Sequence, residues 1–96
     1  MATRKTVDIN VRQRDIDTGI RRDQRRCPIA RATSRRLKQP FVDVTFEGIE
    51  AYDGAIFDVS RDVEQFMTDF DEGRPVQPCR FTLVEQASKI FRRASP

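Results

Sequence analysis

The sequence predicts an α+β domain with the element order β-α-β-β-β-α-β, in which two helices pack on one face of a mainly antiparallel sheet. Apolar residues recur at helical spacing in two segments and alternate with polar residues in several others. Packing both helices on a sheet is the most economical way to bury one apolar stripe from each. The 96 residues allow one small domain, residues 1–96, with an ordered core at about 6–85 and a basic C-terminal tail at 86–96.

The first element is a strand, because apolar and polar side chains alternate through residues 7–11. The segment 14–19 is typical of either one helical turn or a tight turn that ends at Gly19. Residues 20–26 carry four arginines and almost no apolar side chain, which predicts an exposed basic loop.

A helix is expected to begin at Cys27-Pro28, since proline at the first helical position lacks only an N–H that would have no partner there. Its apolar and cationic arcs lie on opposite sides of the helical wheel. The apolar arc contains Ile29, Ala30, Thr33 and Leu37. The cationic arc contains Arg31, Arg35 and Lys38. Pro40 is expected to stop this helix.

Three short strands separated by glycine turns follow. They are expected at 41–46, 49–52 and 55–59, with turns at Glu47-Gly48 and Asp53-Gly54. In the first of these strands the alternation places Val42, Val44 and Phe46 on the same side.

The second helix has the strongest helical stripe in the chain. Its members are Val63, Phe66, Met67 and Phe70. Ser60 is expected to cap its beginning, and Gly73 and Pro75 are expected to end it. Residues 79–84 form the final strand.

Charge is strongly segregated along the chain. Residues 1–38 hold 12 Lys and Arg against 4 Asp and Glu, whereas residues 39–88 hold 3 against 11. Residues 89–96 add three positive charges, so the net charge is +3. Such segregation indicates a charged partner, or two halves that attract each other inside one fold.

Several classes of function are excluded by composition. The absence of His excludes His-based triads and His metal ligands. Two cysteines, Cys27 and Cys79, are too few for a thiolate zinc cage or a disulfide framework, and the glycines do not form a phosphate loop. We therefore expect no catalytic residue, no metal and no cofactor, and a protein that is not an enzyme.

The chain also lacks the apolar runs that membranes require. None is long enough to span a bilayer, and the first six residues have no apolar stretch of the signal-peptide kind. We expect a cytoplasmic protein that makes no contact with a membrane.

Individual reactive groups have ordinary explanations. Cys27 lies beside two arginines at a helix start, where a thiol pKa would be lowered, but no histidine base is present. The favoured interpretation is a small, partly buried residue at the helix start. Whether Cys27 pairs with Cys79 is open. Asp15 and Asp17 are expected to be solvated turn residues.

Three short segments carry a resemblance. They are D-I-x-x-G at 15–19, C-P-I-A at 27–30 and F-D-x-G-x-P-V-x-P at 70–78. In these segments the chain resembles a group of small bacteriophage and prophage proteins. The resemblance implies an origin in a phage or mobile element and brings no activity or ligand with it. Some of those proteins have a second Cys where this chain has Gln24, so no metal or redox role is implied here.

Two surfaces are candidates for binding. The first is a basic strip suited to phosphates or to an acidic protein: Arg21, Arg22, Arg25, Arg26, Arg31, Arg35 and Lys38. The second is an acidic surface that could imitate phosphates: Asp62, Glu64, Asp69, Asp71 and Glu72.

Three functions follow from these surfaces. The leading hypothesis is a non-enzymatic phage or mobile-element accessory protein that binds and modulates a host macromolecule, such as a protein of a CRISPR-type defence system. The second is a small nucleic-acid-binding protein that uses the basic strip. The third is an anion or nucleotide binder at the Cys27-Pro28 helix N-terminus. Of the aromatic residues only Tyr52 is expected outside the core, which argues against sequence-specific reading of RNA.

Overall fold

The computed structural model describes residues 5–86, which form five strands and three helices. In chain order they are β1 (Thr6–Val11), α1 (Gln13–Thr18), α2 (Pro28–Leu37), β2 (Val42–Thr45), β3 (Gly48–Ala51), β4 (Ile56–Phe57), α3 (Arg61–Asp71) and β5 (Cys79–Val84). The predicted α+β class and antiparallel pairing are confirmed. All but the first residue of the predicted basic tail, 86–96, lies outside the described residues. No helix within the described range is long and apolar enough to cross a membrane.

The strands form two antiparallel sheets that meet at the end of β5. In one sheet β1 pairs with β5, and in the other the strand order is β2-β3-β4. Glu85, immediately after β5, forms an antiparallel bridge with Phe57 of β4. The backbone N–H of Glu85 also donates to the carbonyl of Lys5 at 2.8 Å. The single predicted sheet is therefore two sheets joined at Glu85.

Helix α2 covers both sheets, because it contacts β1 of one and β2 of the other. The side chains beneath and around it are almost completely buried, and the largest are Ile9, Ile29, Val42, Ile49, Val63 and Leu83. The Thr33 hydroxyl, on the buried face of α2, donates to the carbonyl of Ile29 at 2.7 Å, so this polar group is satisfied inside the core.

The segment for which the sequence allowed either one helical turn or a tight turn forms a helix, α1. Gly19 follows it with φ −70°, so the glycine does not adopt the left-handed conformation of a helix cap. A Cβ at Gly19 would lie 2.7 Å from the carbonyl oxygen of Asp15 and 2.8 Å from Cδ of Pro28. Glycine is required here because α1 and the start of α2 approach each other closely.

Helix α2 is capped at both ends. Sγ of Cys27 accepts the N–H of Ala30 at 3.5 Å, so a thiol occupies the position usual for a hydroxyl or carboxylate. The helix ends at Leu37, and Lys38 follows in the left-handed conformation with φ 57°. Pro40 therefore lies beyond the end of the helix.

The predicted caps of α3 are confirmed. Oγ of Ser60 accepts the N–H of Val63 at 3.3 Å. Gly73 has φ 82° and donates its N–H to the carbonyl of Phe70 at 3.1 Å, the arrangement of a Schellman motif.

The prediction for Phe46 is wrong. Strand β2 ends at Thr45, and Phe46 lies in the turn to β3 with 51% of its surface exposed. The turn begins one residue earlier than predicted, and this shift removes Phe46 from the buried face shared by Val42 and Val44. The two following strands are also shorter than, or shifted from, their predicted ranges.

We expect Phe66→Ala to destabilise the domain by about 3–5 kcal/mol, because a large buried ring is removed. The Phe66 ring meets the Phe81 ring edge to face at 5.8 Å between centroids, so the substitution also removes a contact between α3 and β5. Chemical denaturation measures the change. Phe46→Ala, at the exposed turn, is the control and should cost less than about 1 kcal/mol. Equal destabilisation in the two variants would contradict the assignment of the α3 stripe to the core.

Candidate functional site

An open cleft of about 790 Å³ lies between the start of α1, the 20–26 loop, α2 and the segment before β2. Six arginines line it: Arg12, Arg14, Arg25, Arg26, Arg31 and Arg35. We call this concavity the arginine cleft. Asp15, Asp23 and Phe41 also contribute to its wall.

Two helices place four of these arginines. Arg12 is the residue before α1 and Arg14 lies in its first turn. Arg31 and Arg35 are four residues apart on α2, a spacing that brings two side chains to the same face of a helix. Because α1 packs against α2, the two pairs face a common space.

The 20–26 loop supplies the other two arginines. It folds back on itself, since the N–H of Ile20 donates to the carbonyl of Arg26 at 2.9 Å. The carboxylate of Asp23 accepts the backbone N–H groups of Arg25 and Arg26, both at 3.0 Å. The loop therefore has a defined conformation, and it is exposed as predicted.

The back of the cleft is closed by an ion pair between Asp15 and Arg35. Nη1 and Nη2 of Arg35 donate to the two carboxylate oxygens of Asp15 at 2.7 and 2.8 Å. The backbone N–H of Arg12 donates to the same carboxylate at 2.8 Å, and Arg35 also donates to the carbonyl of Asn10 at 2.9 Å. The prediction of a solvated Asp15 is wrong: the residue is 3% exposed, because α1 packs on α2 and covers it.

The pKa of Asp15 reflects two opposing effects. Burial by itself raises the pKa of the carboxyl. Hydrogen bonds from the Arg35 guanidinium and the Arg12 N–H, together with the positive charge of Arg35, outweigh burial and hold the pKa of Asp15 below its ordinary value. Asp15 therefore carries its charge at neutral pH and neutralises Arg35.

Three arginines of the cleft form no ion pair within the described residues, although the charge of Arg31 acts on the nearby Asp15 carboxylate. Within residues 5–86, Arg12, Arg14 and Arg31 form no ion pair. Arg26 is 3.8 Å from Asp23 and largely exposed, a geometry that contributes little stability. The cleft therefore retains a concentration of positive charge after the internal pairs have formed.

Arg25 connects the loop to the sheet. Its Nε donates to Oδ1 of Asp43 on β2 at 2.8 Å, and its guanidinium lies 4.0 Å from the centroid of the Phe41 ring. The Arg25–Asp43 ion pair thus joins the basic and acidic halves of the chain. The charge segregation had indicated such an attraction between the two halves as one of its explanations.

The predicted basic strip is divided by the fold. Arg25, Arg26, Arg31 and Arg35 meet in the cleft, whereas the Arg21 guanidinium lies against Gly73 and Arg22 donates its backbone N–H to Asp71 at 2.9 Å. Lys38 lies at the C-terminal end of α2. The prediction omitted Arg12 and Arg14, whose only sequence signal was membership of the basic block at 1–38.

The predicted acidic surface is also divided. Arg74 pairs with Asp69 at 2.8 Å and with Glu72 at 2.6 Å, and Asp71 accepts the N–H of Arg22. Asp62 and Glu64 are exposed in the first turn of α3 and form no ion pair within residues 5–86; their charges interact favourably with the helix dipole.

A second depression, the apolar groove, lies between the start of α2, the end of β2 and α3. It has a volume of about 370 Å³ and is lined mainly by Cys27, Ile29, Val44, Phe66, Met67 and Phe70. The exposed Phe46 and the carboxylates of Asp23 and Asp71 lie around it.

The thiol of Cys27 is less acidic than predicted. Burial raises the pKa of the Cys27 thiol, and the nearby charges of Asp71 and Asp23 add to the effect, so the expectation of a lowered pKa is wrong. Cys27 and Cys79 are both free thiols. The N–H of Ala30 is used by Sγ of Cys27, and these surroundings do not favour an anion at the start of α2.

Comparisons with protein-family models, curated proteins and solved structures give no match for the chain. Across residues 5–86, no three Cys, Asp or Glu side chains are grouped closely enough to hold a metal ion. The arginine cleft is therefore the feature from which we infer a function.

We expect Arg35→Gln to destabilise the domain at neutral pH by about 1–3 kcal/mol, because the Asp15 carboxylate loses its side-chain donors, while the partial exposure of Arg35 keeps the loss below that of a fully buried pair. The native pKa of Asp15 is lower than its unfolded value of about 3.9, so this stabilisation is complete above that pH and is lost as the pH falls through the native pKa. Denaturation at several pH values should show the difference from the unsubstituted protein shrinking in acid. Arg36→Gln, one residue along the same helix and exposed, is the matched control. A difference that stays constant from neutral pH to acid would contradict the role of the ion pair.

Proposed function

We propose that the protein is a non-enzymatic nucleic-acid-binding protein whose arginine cleft holds the phosphate backbone of its ligand. The observation that carries this proposal is the convergence of Arg12, Arg14 and Arg31, none of which forms an ion pair within the described residues, on one concavity. Like charges held close together repel one another, and a polyanion in the cleft relieves that repulsion. A solvated surface would gain nothing from such a concentration.

The type of cation supports phosphate as the ligand. Residues 12–36 contain nine arginines and no lysine. The planar guanidinium donates paired hydrogen bonds to phosphate oxygens, whereas a lysine acts as a point charge. Solubility alone would be served equally well by lysine.

The rigidity of the cleft supports the same conclusion. The two-point pair of Arg35 with Asp15 fixes α1 against α2, so the backbone positions that carry Arg12, Arg14 and Arg31 are set before any ligand arrives. Positioning before binding lowers the entropy that the complex loses.

We also propose a biological setting for this binding. The resemblance to bacteriophage and prophage proteins supports a phage or mobile-element accessory protein that acts in the host cytoplasm. Its ligand would then be a nucleic acid of the host or of a defence system, including one of the CRISPR type.

We expect binding of labelled DNA or RNA to weaken steeply with salt, because each phosphate contact releases counterions. Replacing Arg31 with Gln, or Arg14 with Gln, should reduce the slope of log affinity against log salt by about 0.7–0.9 for each phosphate that the variant no longer neutralises. Fluorescence anisotropy across a salt series measures both quantities. Arg61→Gln, an exposed arginine of α3 outside the cleft, removes the same charge and is the control.

Two results would contradict this function. One is the absence of binding to either polymer at low salt. The other is an equal change of slope for Arg31→Gln and Arg61→Gln, which would mean that net charge and not the cleft determines the affinity.

A second candidate function is binding of a host or defence-system protein, and the exposed Phe46 beside the apolar groove favours it. Large aromatic side chains at the edge of an apolar depression are typical of interface hot spots.

For such a partner, Phe46→Ala should weaken binding by about 2 kcal/mol. Alanine at Asp69 or Glu72 should have little effect, because Arg74 already pairs with both. A pull-down after nuclease treatment, followed by calorimetry on any retained protein, makes the comparison. Loss of binding on alanine substitution of the carboxylates would instead favour phosphate imitation.

A further inference from the structure

One aromatic ring lines the arginine cleft, and a second ring contacts the first. Phe41 forms part of the cleft wall, and its ring meets the ring of Tyr52 edge to face, with 5.1 Å between centroids and 85° between planes. Tyr52 is 60% exposed, more than any other large hydrophobic side chain in the described residues.

The two rings are held in place. Arg25 covers the Phe41 ring from 4.0 Å and is itself held by Asp43. The backbone N–H of Tyr52 donates to Oε1 of Gln39 at 2.7 Å. Arg25, Phe41 and Tyr52 therefore form a continuous series from the cationic wall of the cleft to an exposed ring.

We propose that the cleft takes a single-stranded nucleic acid, with one base stacked on Tyr52 while the phosphates of neighbouring nucleotides lie against the arginines. The proposal rests on the function proposed above and specifies its substrate class. Proteins that bind single strands combine a basic groove with aromatic side chains on which bases stack. A duplex offers the same phosphates, but its bases already stack on one another and present no free face except at the ends.

The shape of the site agrees with this substrate. Helices that read duplex DNA protrude into the major groove. Helix α2 instead buries its apolar face against β1 and β2, and its arginines line a concavity. A flexible strand follows a concave surface more easily than a rigid duplex does, so the concavity favours a single strand.

The composition provides a direct test, because Tyr52 is the only tyrosine and the chain has no tryptophan. The probes are an oligothymidylate of about 12 nucleotides and a closed hairpin duplex with the same number of phosphates, titrated at one ionic strength. We expect the single strand to bind about 10-fold more tightly than the hairpin and to quench the tyrosine fluorescence. Tyr52→Leu, which keeps apolar bulk and removes the aromatic face, should weaken single-strand binding about 10-fold and leave hairpin binding unchanged. Tyr52→Phe should retain the affinity.

The control variant is Phe46→Ala, which removes an exposed aromatic ring outside the cleft and should leave both affinities unchanged. Thermal melting of each variant confirms that it is folded. Equal affinity for the two probes, with unchanged tyrosine fluorescence and no effect of Tyr52→Leu, would overturn the single-strand proposal while the function proposed above stands. Failure of both probes to bind would overturn both proposals.

Discussion

The ion pair between Asp15 and Arg35 is the interaction on which the rest of the candidate site depends. Helix α1 has only six residues, too few to be stable alone, and the pair attaches it to α2. The same guanidinium donates to the carbonyl of Asn10, so β1 is held as well. Burying a carboxylate is costly, and three hydrogen bonds to Asp15 offset the cost. This arrangement fixes the backbone of Arg12 and Arg14 relative to α2.

Elements with strong local signals were predicted from the sequence. A proline at the first helical position, a serine cap and a left-handed glycine set the ends of α2 and α3, and all three signals act within a few residues. Burial of Asp15 was missed because its partner is 20 residues away, and only packing of α1 on α2 brings them together. Phe46 was misplaced for a different reason: alternation alone does not determine where a strand ends, and β2 ends at Thr45, one residue before Phe46.

The arginine cleft was predictable only in part. The four predicted arginines that line it are close in sequence, on one loop and one helix, so their proximity follows from local structure. Arg12 and Arg14 come from another element, whose position depends on tertiary contacts. Arg22 adopts the left-handed conformation with φ 59°, which turns the loop and separates Arg21 and Arg22 from the arginines that follow. The edge-to-face pair of Phe41 with Tyr52 likewise joins residues on either side of the β2-β3 hairpin and has no local signal.

The junction at Glu85 has a consequence for how the domain unfolds. Across residues 84–86 the backbone is bonded on one side to Lys5 and on the other to β4, through Asp58 N–H to Val84 carbonyl at 2.8 Å and Gln86 N–H to Ile56 carbonyl at 2.7 Å. The backbone bonds that join the sheets are thus concentrated in three consecutive residues, while α2 packs across β1 and β2. Loss of either sheet removes both a bonding partner and a packing surface from the other. We therefore expect the two sheets to unfold together as one cooperative unit.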